Sequence, residues 1–90
     1  MRGRNIVGPK VRKMRMARGW SQGQLALRLQ IAGLDVSRSG LAKIESQLVW
    51  VGDYELFYLA KVFRVDIQKL FPKIDYRKPL NETMKTLTTK

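Results

Sequence analysis

Residues 21–47, SQGQLALRLQIAGLDVSRSGLAKIESQ, decide the fold. Ser21 stands where an N-cap would. Gln24 follows at the spacing of a capping box, in which a hydroxyl and an amide each satisfy a free backbone N–H. Leu25, Ala26, Leu29 and Ala32 then recur at helical spacing, and Gly33 is placed to end the helix. Ala26 is small enough to admit a close helix neighbour. Trp20 precedes the cap, and Leu25 falls where a hydrophobic staple would meet it. After the short connector 34–36, Ser37 is a second N-cap. It opens a helix over about 38–46 whose inner face is Leu41 and Ile44. Gly40 costs that helix up to about 1 kcal/mol relative to alanine.

Working outward, GPKVRKMRMARG predicts an earlier helix. Pro9 suits its first turn, Gly19 follows its end, and Val7, Val11, Met14 and the methylenes of Arg18 form one stripe. On the other side, GDYELFYLAKVF predicts a helix capped by Asp53, with Leu56, Leu59, Ala60 and Phe63 inward. VDIQKLFP predicts a short fifth helix. Asp66 caps it, Ile67, Leu70 and Phe71 face the core, and Pro72 stops it. From Lys73 the periodicity fades. The expected architecture is all-α: a flexible basic arm at 1–7, a compact five-helix domain at 8–72 and a flexible tail at 73–90. Two short capped helices separated by a brief turn, inside such a domain, describe a helix-turn-helix.

Ninety residues suit one small domain. There is no cysteine and no histidine, so disulfides, thiolate metal sites and the commonest general base are all missing. The acids are dispersed, with Asp53 and Asp66 read as caps, and no nucleophile–base set assembles. An enzyme is not expected, nor is a cofactor, a metal or a small-molecule ligand. No apolar run approaches the roughly 20 residues of a membrane span. The opening MRGRNIVGPK lacks the apolar run of about 7–15 residues found in secretory signals, so a cytoplasmic, nucleoid-associated address is expected.

The net charge is +11, from 18 basic and 7 acidic residues. Residues 1–18 carry Arg2, Arg4, Lys10, Arg12, Lys13, Arg15 and Arg18 and no acid, whereas 48–72 is balanced. This polarity suits a polyanionic partner, although solubility, ribosomal proteins and membrane-surface peptides also draw on basic composition. The third helix is more specific. At about 100° per residue, Leu41 and Ile44 turned inward put Ser39, Ala42, Lys43 and Ser46 outward, with Arg38 at the exposed N-terminal edge and Gly40 on the flank. A slim, hydroxylated face with cations fits a major groove, where Arg and Lys donate to guanine edges. An ordinary surface helix is the competing reading.

With these residues in place, the sequence resembles the helix-turn-helix domain of the phage repressor/Cro (XRE-like) family of transcriptional regulators. The resemblance runs from about Gly8 to Pro72 and is carried by VRKMRMARGWSQGQLA, VSRSGLAKIE and DYELFYLAKVFRVDIQKLF. It implies double-stranded DNA as partner, with Arg38, Ser39, Gly40 and Lys43 facing bases. Gln22, at a helix N-terminus whose free N–H groups favour anions, is implied as a phosphate contact. Lys10, Arg12, Lys13 and Ser46 are assigned to phosphates with it, and Arg2 and Arg4 to the backbone or a minor groove. Arg15 and Glu45 match a partly buried ion pair tying the first helix to the end of the third. The alternative for Arg15 is a phosphate contact.

The sequence departs from the family pattern in two places. LQIAGLDV is longer than the usual link between second and third helices, so the second helix is expected to gain about a turn and the turn to be looser. Where family members commonly carry Lys, Arg or Pro after the third helix, this chain has Leu48, Val49, Trp50 and Val51. Such a patch completes the core or forms a homodimer contact, and Trp is enriched at interface hot spots. A split is expected, with Val49 or Val51 in the core and Leu48 and Trp50 available to a partner. The expected function is sequence-specific DNA binding by a small regulator, a repressor. The alternative is an antitoxin-like or adaptor module that binds a protein, with DNA secondary. RNA binding is disfavoured, because no aromatic-bearing sheet is foreseen.

Overall fold

The computed structural model describes residues 3–75 and 77–79. Arg2 and most of the expected tail lie outside the described residues. The chain builds four α-helices, α1 (Gly8–Ala17), α2 (Gln22–Ala32), α3 (Arg38–Glu45) and α4 (Asp53–Phe63), followed by a 3₁₀ turn (Ile67–Leu70). There is no strand among the described residues. The fifth helix expected from VDIQKLFP is therefore a single 3₁₀ turn. Asp66 occupies its N-cap position without a side-chain hydrogen bond, and Pro72 follows closely. Leu70 is fully buried and Phe71 packs against the core, while Ile67 is left exposed.

Local chemistry explains most helix ends. Ser21 Oγ accepts the Gln24 N–H at 3.0 Å and Gln24 Oε1 accepts the Ser21 N–H at 2.7 Å, completing the capping box. Ser37 Oγ accepts the Gly40 N–H at 3.0 Å. Gly33 ends α2 at φ 120°, where a side chain would be strained. Asp53 is not the cap of α4. Gly52 holds that position, and Glu55 closes the end by accepting the Gly52 N–H at 2.6 Å. A short carboxylate one residue inside the helix sits beside the dipole rather than on the cap geometry.

One core serves all elements. It comprises Val7 at the N-cap of α1, Val11 from α1, Leu25, Ala26 and Leu29 from α2, Leu41 and Ile44 from α3, Leu59, Ala60 and Phe63 from α4, and Leu70. Leu34 and Val36 join it from the α2–α3 connector. The connector is thus not loose. Its apolar residues are buried, Gly33 and Leu34 N–H groups both bond back to Leu29 O, and the Gln30 side chain donates to Val36 O at 2.8 Å. The extra length is absorbed by an eleven-residue α2 and a pinned turn. Trp20, beside the α2 cap, stacks on Phe63 of α4 with ring centroids 5.9 Å apart.

Helices α1 and α3 touch at Gly8. A Cβ there would collide with the Ile44 carbonyl and stand 2.9 Å from that of Glu45. Only glycine allows the start of α1 to lie against the end of α3.

Candidate nucleic-acid interface

Helix α3 turns Ser39, Lys43 and Ser46 outward as rotation predicts, whereas Ala42, also expected outward, is half-buried. Arg38, Ser39, Lys43 and Ser46 are exposed, and Leu41 and Ile44 are buried. Gly40 is half-buried on the flank, and a Cβ there would stand 3.2 Å from Ser37 Oγ and 3.4 Å from Val36 Cγ2. A methyl at this position would press on the α3 N-cap side chain and on the connector. The exposed residues of α3 include no acid.

The C-terminal end of α3 is fixed by Glu45, which is only 6% exposed. Arg15 of α1 holds it bidentately, with Nε 2.7 Å from Oε2 and Nη2 3.1 Å from Oε1. Arg15 Nη1 also donates to Trp20 O at 2.6 Å. Arg15 is itself buried, and its three donor nitrogens all have partners in the protein. Gln22, at the start of α2, donates Nε2 to Glu45 Oε1 at 3.1 Å. One amide N–H is thus committed to the clamp, leaving the second for a partner outside the fold. A single carboxylate ties α1, α2 and α3 together.

A second fixture, missed at the sequence level, is Asn5. Its Nδ2 donates to Ile44 O at 3.2 Å and Val49 O at 2.9 Å, and its Oδ1 accepts the Gly8 N–H at 2.8 Å. Gln47, in left-handed backbone at φ 63°, donates Nε2 to Asn5 O at 2.9 Å, and its carbonyl accepts the Arg4 N–H at 2.8 Å. Residues 3–7 are therefore fastened across the end of α3 rather than forming a free arm. The available signal was an asparagine just before a glycine–proline helix start, since Asn caps backbone groups locally.

The assigned cations do not share one face. Along α1, Lys10 and Arg12 lie about 160° apart at 100° per residue. Lys10 is half-buried and lines a groove against α4 and the 3₁₀ turn, whereas Arg12 and Lys13 are exposed.

After α3 the four apolar residues divide. Val49 and Val51 are partly buried against the core, while Leu48 is 63% and Trp50 67% exposed. Arg4 lies over the Trp50 ring, 5.7 Å from its centroid. Tyr54 and Phe57, in the first turns of α4, are also exposed.

No helix of the described residues is long and apolar enough to cross a membrane, and no group of acids there is arranged to hold a metal. No curated protein and no solved structure matches the chain. A helix-turn-helix family model matches residues 11–70, from the second turn of α1 to the end of the 3₁₀ turn. That span covers most of α1 and all of α2 and α3, with the exposed face of α3, and the chain belongs to the Cro/C1-type (XRE) helix-turn-helix family of DNA-binding transcription regulators.

Proposed function

We propose that the chain is a repressor that binds double-stranded DNA sequence-specifically as a homodimer, with α3 in the major groove. The observation that carries this reading is the outer face of α3. It is exposed, slim, free of acids and cationic at Arg38 and Lys43, on a helix held rigidly by Glu45 and Asn5. Arg38, Ser39 and Lys43 read base edges, and Gly40 lets the backbone approach. The free N–H of Gln22, Ser46 at the α3 C-cap, and Arg12 and Lys13 on α1 hold phosphates. Lys10 is the weakest member of that set, since it lies on the α4 flank.

Salt-dependent titration on genomic fragments, with footprinting of any tight site, tests the division of roles. Arg38→Ala should erase preference between sites. Lys13→Ala should weaken all sites alike and lower the salt slope by about 0.9. Equal losses on specific and random DNA for both changes would refute it. An antitoxin-like or adaptor role remains the second reading, supported by the exposed Leu48 and Trp50. Under it, a co-purifying protein would protect those side chains and DNA affinity would stay at the non-specific level.

A further inference from the structure

Two adjoining grooves run along the C-terminal half of α4, and no residue of α3 lines either. One, of about 650 Å³, lies between α1, α4 and the 3₁₀ turn. The other, of about 610 Å³, lies between α2 and α4. They share Lys61 and Arg64, and together they gather Lys10, Arg18, Arg28, Lys61, Arg64 and Lys69 against Asp66 alone. Among the described residues, none of Arg28, Lys61 and Arg64 has an acidic partner. The C-terminal ends of α1, α2 and α4 face the band, each presenting roughly half an elementary negative charge, and Arg18 is engaged there, donating to Met14 O and Phe63 O; with Asp66 they still fall short of the cations gathered. Arg64 is also held in left-handed backbone, φ 58° and ψ 49°, where glycine or asparagine is the unstrained choice. A cation is kept there against local preference.

We propose that this band docks an acidic peptide segment of a partner protein, one that sets an apolar side chain between its carboxylates. The groove floor is apolar, with Ala32, Val62 and Phe63 in it and Ile31 79% exposed beside them. Guanidinium and ammonium groups form the rim. Arg28 rests on the Trp20 ring at 4.2 Å and Arg18 on Phe63 at 4.8 Å, so these heads are oriented before any partner arrives. Carboxylates match that rim and an aliphatic side chain matches the floor. Nucleic acid fits less well. A duplex backbone would lay phosphates against Ile31 and Val62, and Trp20 is already engaged by Phe63 and Arg28, leaving no open platform for a base. The band shares Lys10 with the phosphate set proposed above but no residue of α3, so Arg28, Lys61 and Arg64 test it separately from base reading.

The test uses the full chain carrying Trp50→Phe, so that Trp20 is the sole indole, and a short synthetic peptide alternating glutamate and leucine. The peptide should bind saturably, one per chain, and change the Trp20 emission as Arg28 is drawn to a carboxylate. Arg28→Glu should weaken binding about tenfold. Arg64→Gly should also weaken it while relieving the left-handed backbone, so a loss there cannot be ascribed to misfolding. Arg38→Ala should leave peptide binding unchanged. Polyglutamate without leucine binding as tightly, or Arg38→Ala costing as much as Arg64→Gly, would reduce the effect to diffuse net charge and overturn the proposal. A random-sequence duplex that competes for the peptide, and whose own affinity falls as steeply with Arg64→Gly, would assign the groove to nucleic acid instead.

Discussion

At Glu45 three helices meet in one carboxylate. Arg15 arrives from α1 and Gln22 from α2, and Glu45 itself is the last residue of α3. Ion pairs this buried are weak evidence of net stability, because desolvation offsets much of the attraction, yet breaking one from a single side is costly. Arg15→Met alone should therefore destabilise by about 3–5 kcal/mol in urea unfolding, and Arg15→Met with Glu45→Leu should recover most of that loss. A double variant as unstable as the single one would show that the charges themselves, not an orphaned carboxylate, set the cost. Asn5 acts at the same place with neutral groups. Asn5→Ala leaves the Val49 carbonyl and the Gly8 N–H without their partner, and the Ile44 carbonyl with the Gln47 N–H alone. The expected loss is at least the roughly 1–3 kcal/mol of one orphaned buried group, with faster hydrogen exchange at the Gly8 amide. Asn5→Asp should do no better, since it keeps the Gly8 acceptor but turns a carboxylate oxygen on two carbonyls. Unchanged exchange at Gly8 in Asn5→Ala would remove Asn5 from the clamp.

At the scale of elements, Gly8 sets two effects against each other. Alanine is favoured over glycine in a helix by about 1 kcal/mol, so an exposed Gly→Ala change would stabilise. Here the added methyl meets the backbone of α3, which cannot yield as a side-chain tip would. Overpacking of this kind costs roughly 1–3 kcal/mol, so Gly8→Ala should lower the melting temperature, and a higher one would show that α1 slides freely on α3. Leu34→Ala gives a parallel test of the connector. Full burial predicts a loss of about 2–5 kcal/mol, whereas a loose turn would lose under about 0.5 kcal/mol. These cases show what the sequence made legible. The starts of α2 and α3 were readable because Ser21, Gln24 and Ser37 act within a few residues of themselves, and the α3 outer face because rotation follows from helix geometry alone. The strap at residues 3–7 was not, since Asn5 acts on carbonyls about forty positions away. Nor was the pinned connector. Leu34 and Val36 show no period in so short a segment, and only the assembled core explains their burial. The fifth helix was overread because four apolar-patterned residues before a proline suit α and 3₁₀ geometry equally.

At the scale of the whole molecule, Leu48 and Trp50 form the surface that decides assembly. Both are largely exposed, with Tyr54 and Phe57 nearby in sequence, while Val49 and Val51 already serve the core. Within one chain, Trp50 has the Arg4 guanidinium over its ring, an exposed cation–π contact worth about 0.5–1 kcal/mol. If that were its whole role, Trp50→Glu would shift stability by about that much and change nothing else. If the surface is the dimer contact, the consequences differ in kind. A two-fold pair places its recognition helices about 34 Å apart, so each chain's DNA affinity depends on its neighbour. Trp50→Glu should then convert a dimer to a monomer in sedimentation equilibrium. Affinity for a two-half-site duplex should fall by well over tenfold, while affinity for an isolated half-site stays within error and the melting temperature of the monomer barely moves. The half-site arm separates loss of pairing from damage to α3. A wild-type chain that sediments as a monomer while occupying both half-sites independently would eliminate the dimer, and Leu48 and Trp50 would have to meet a different protein.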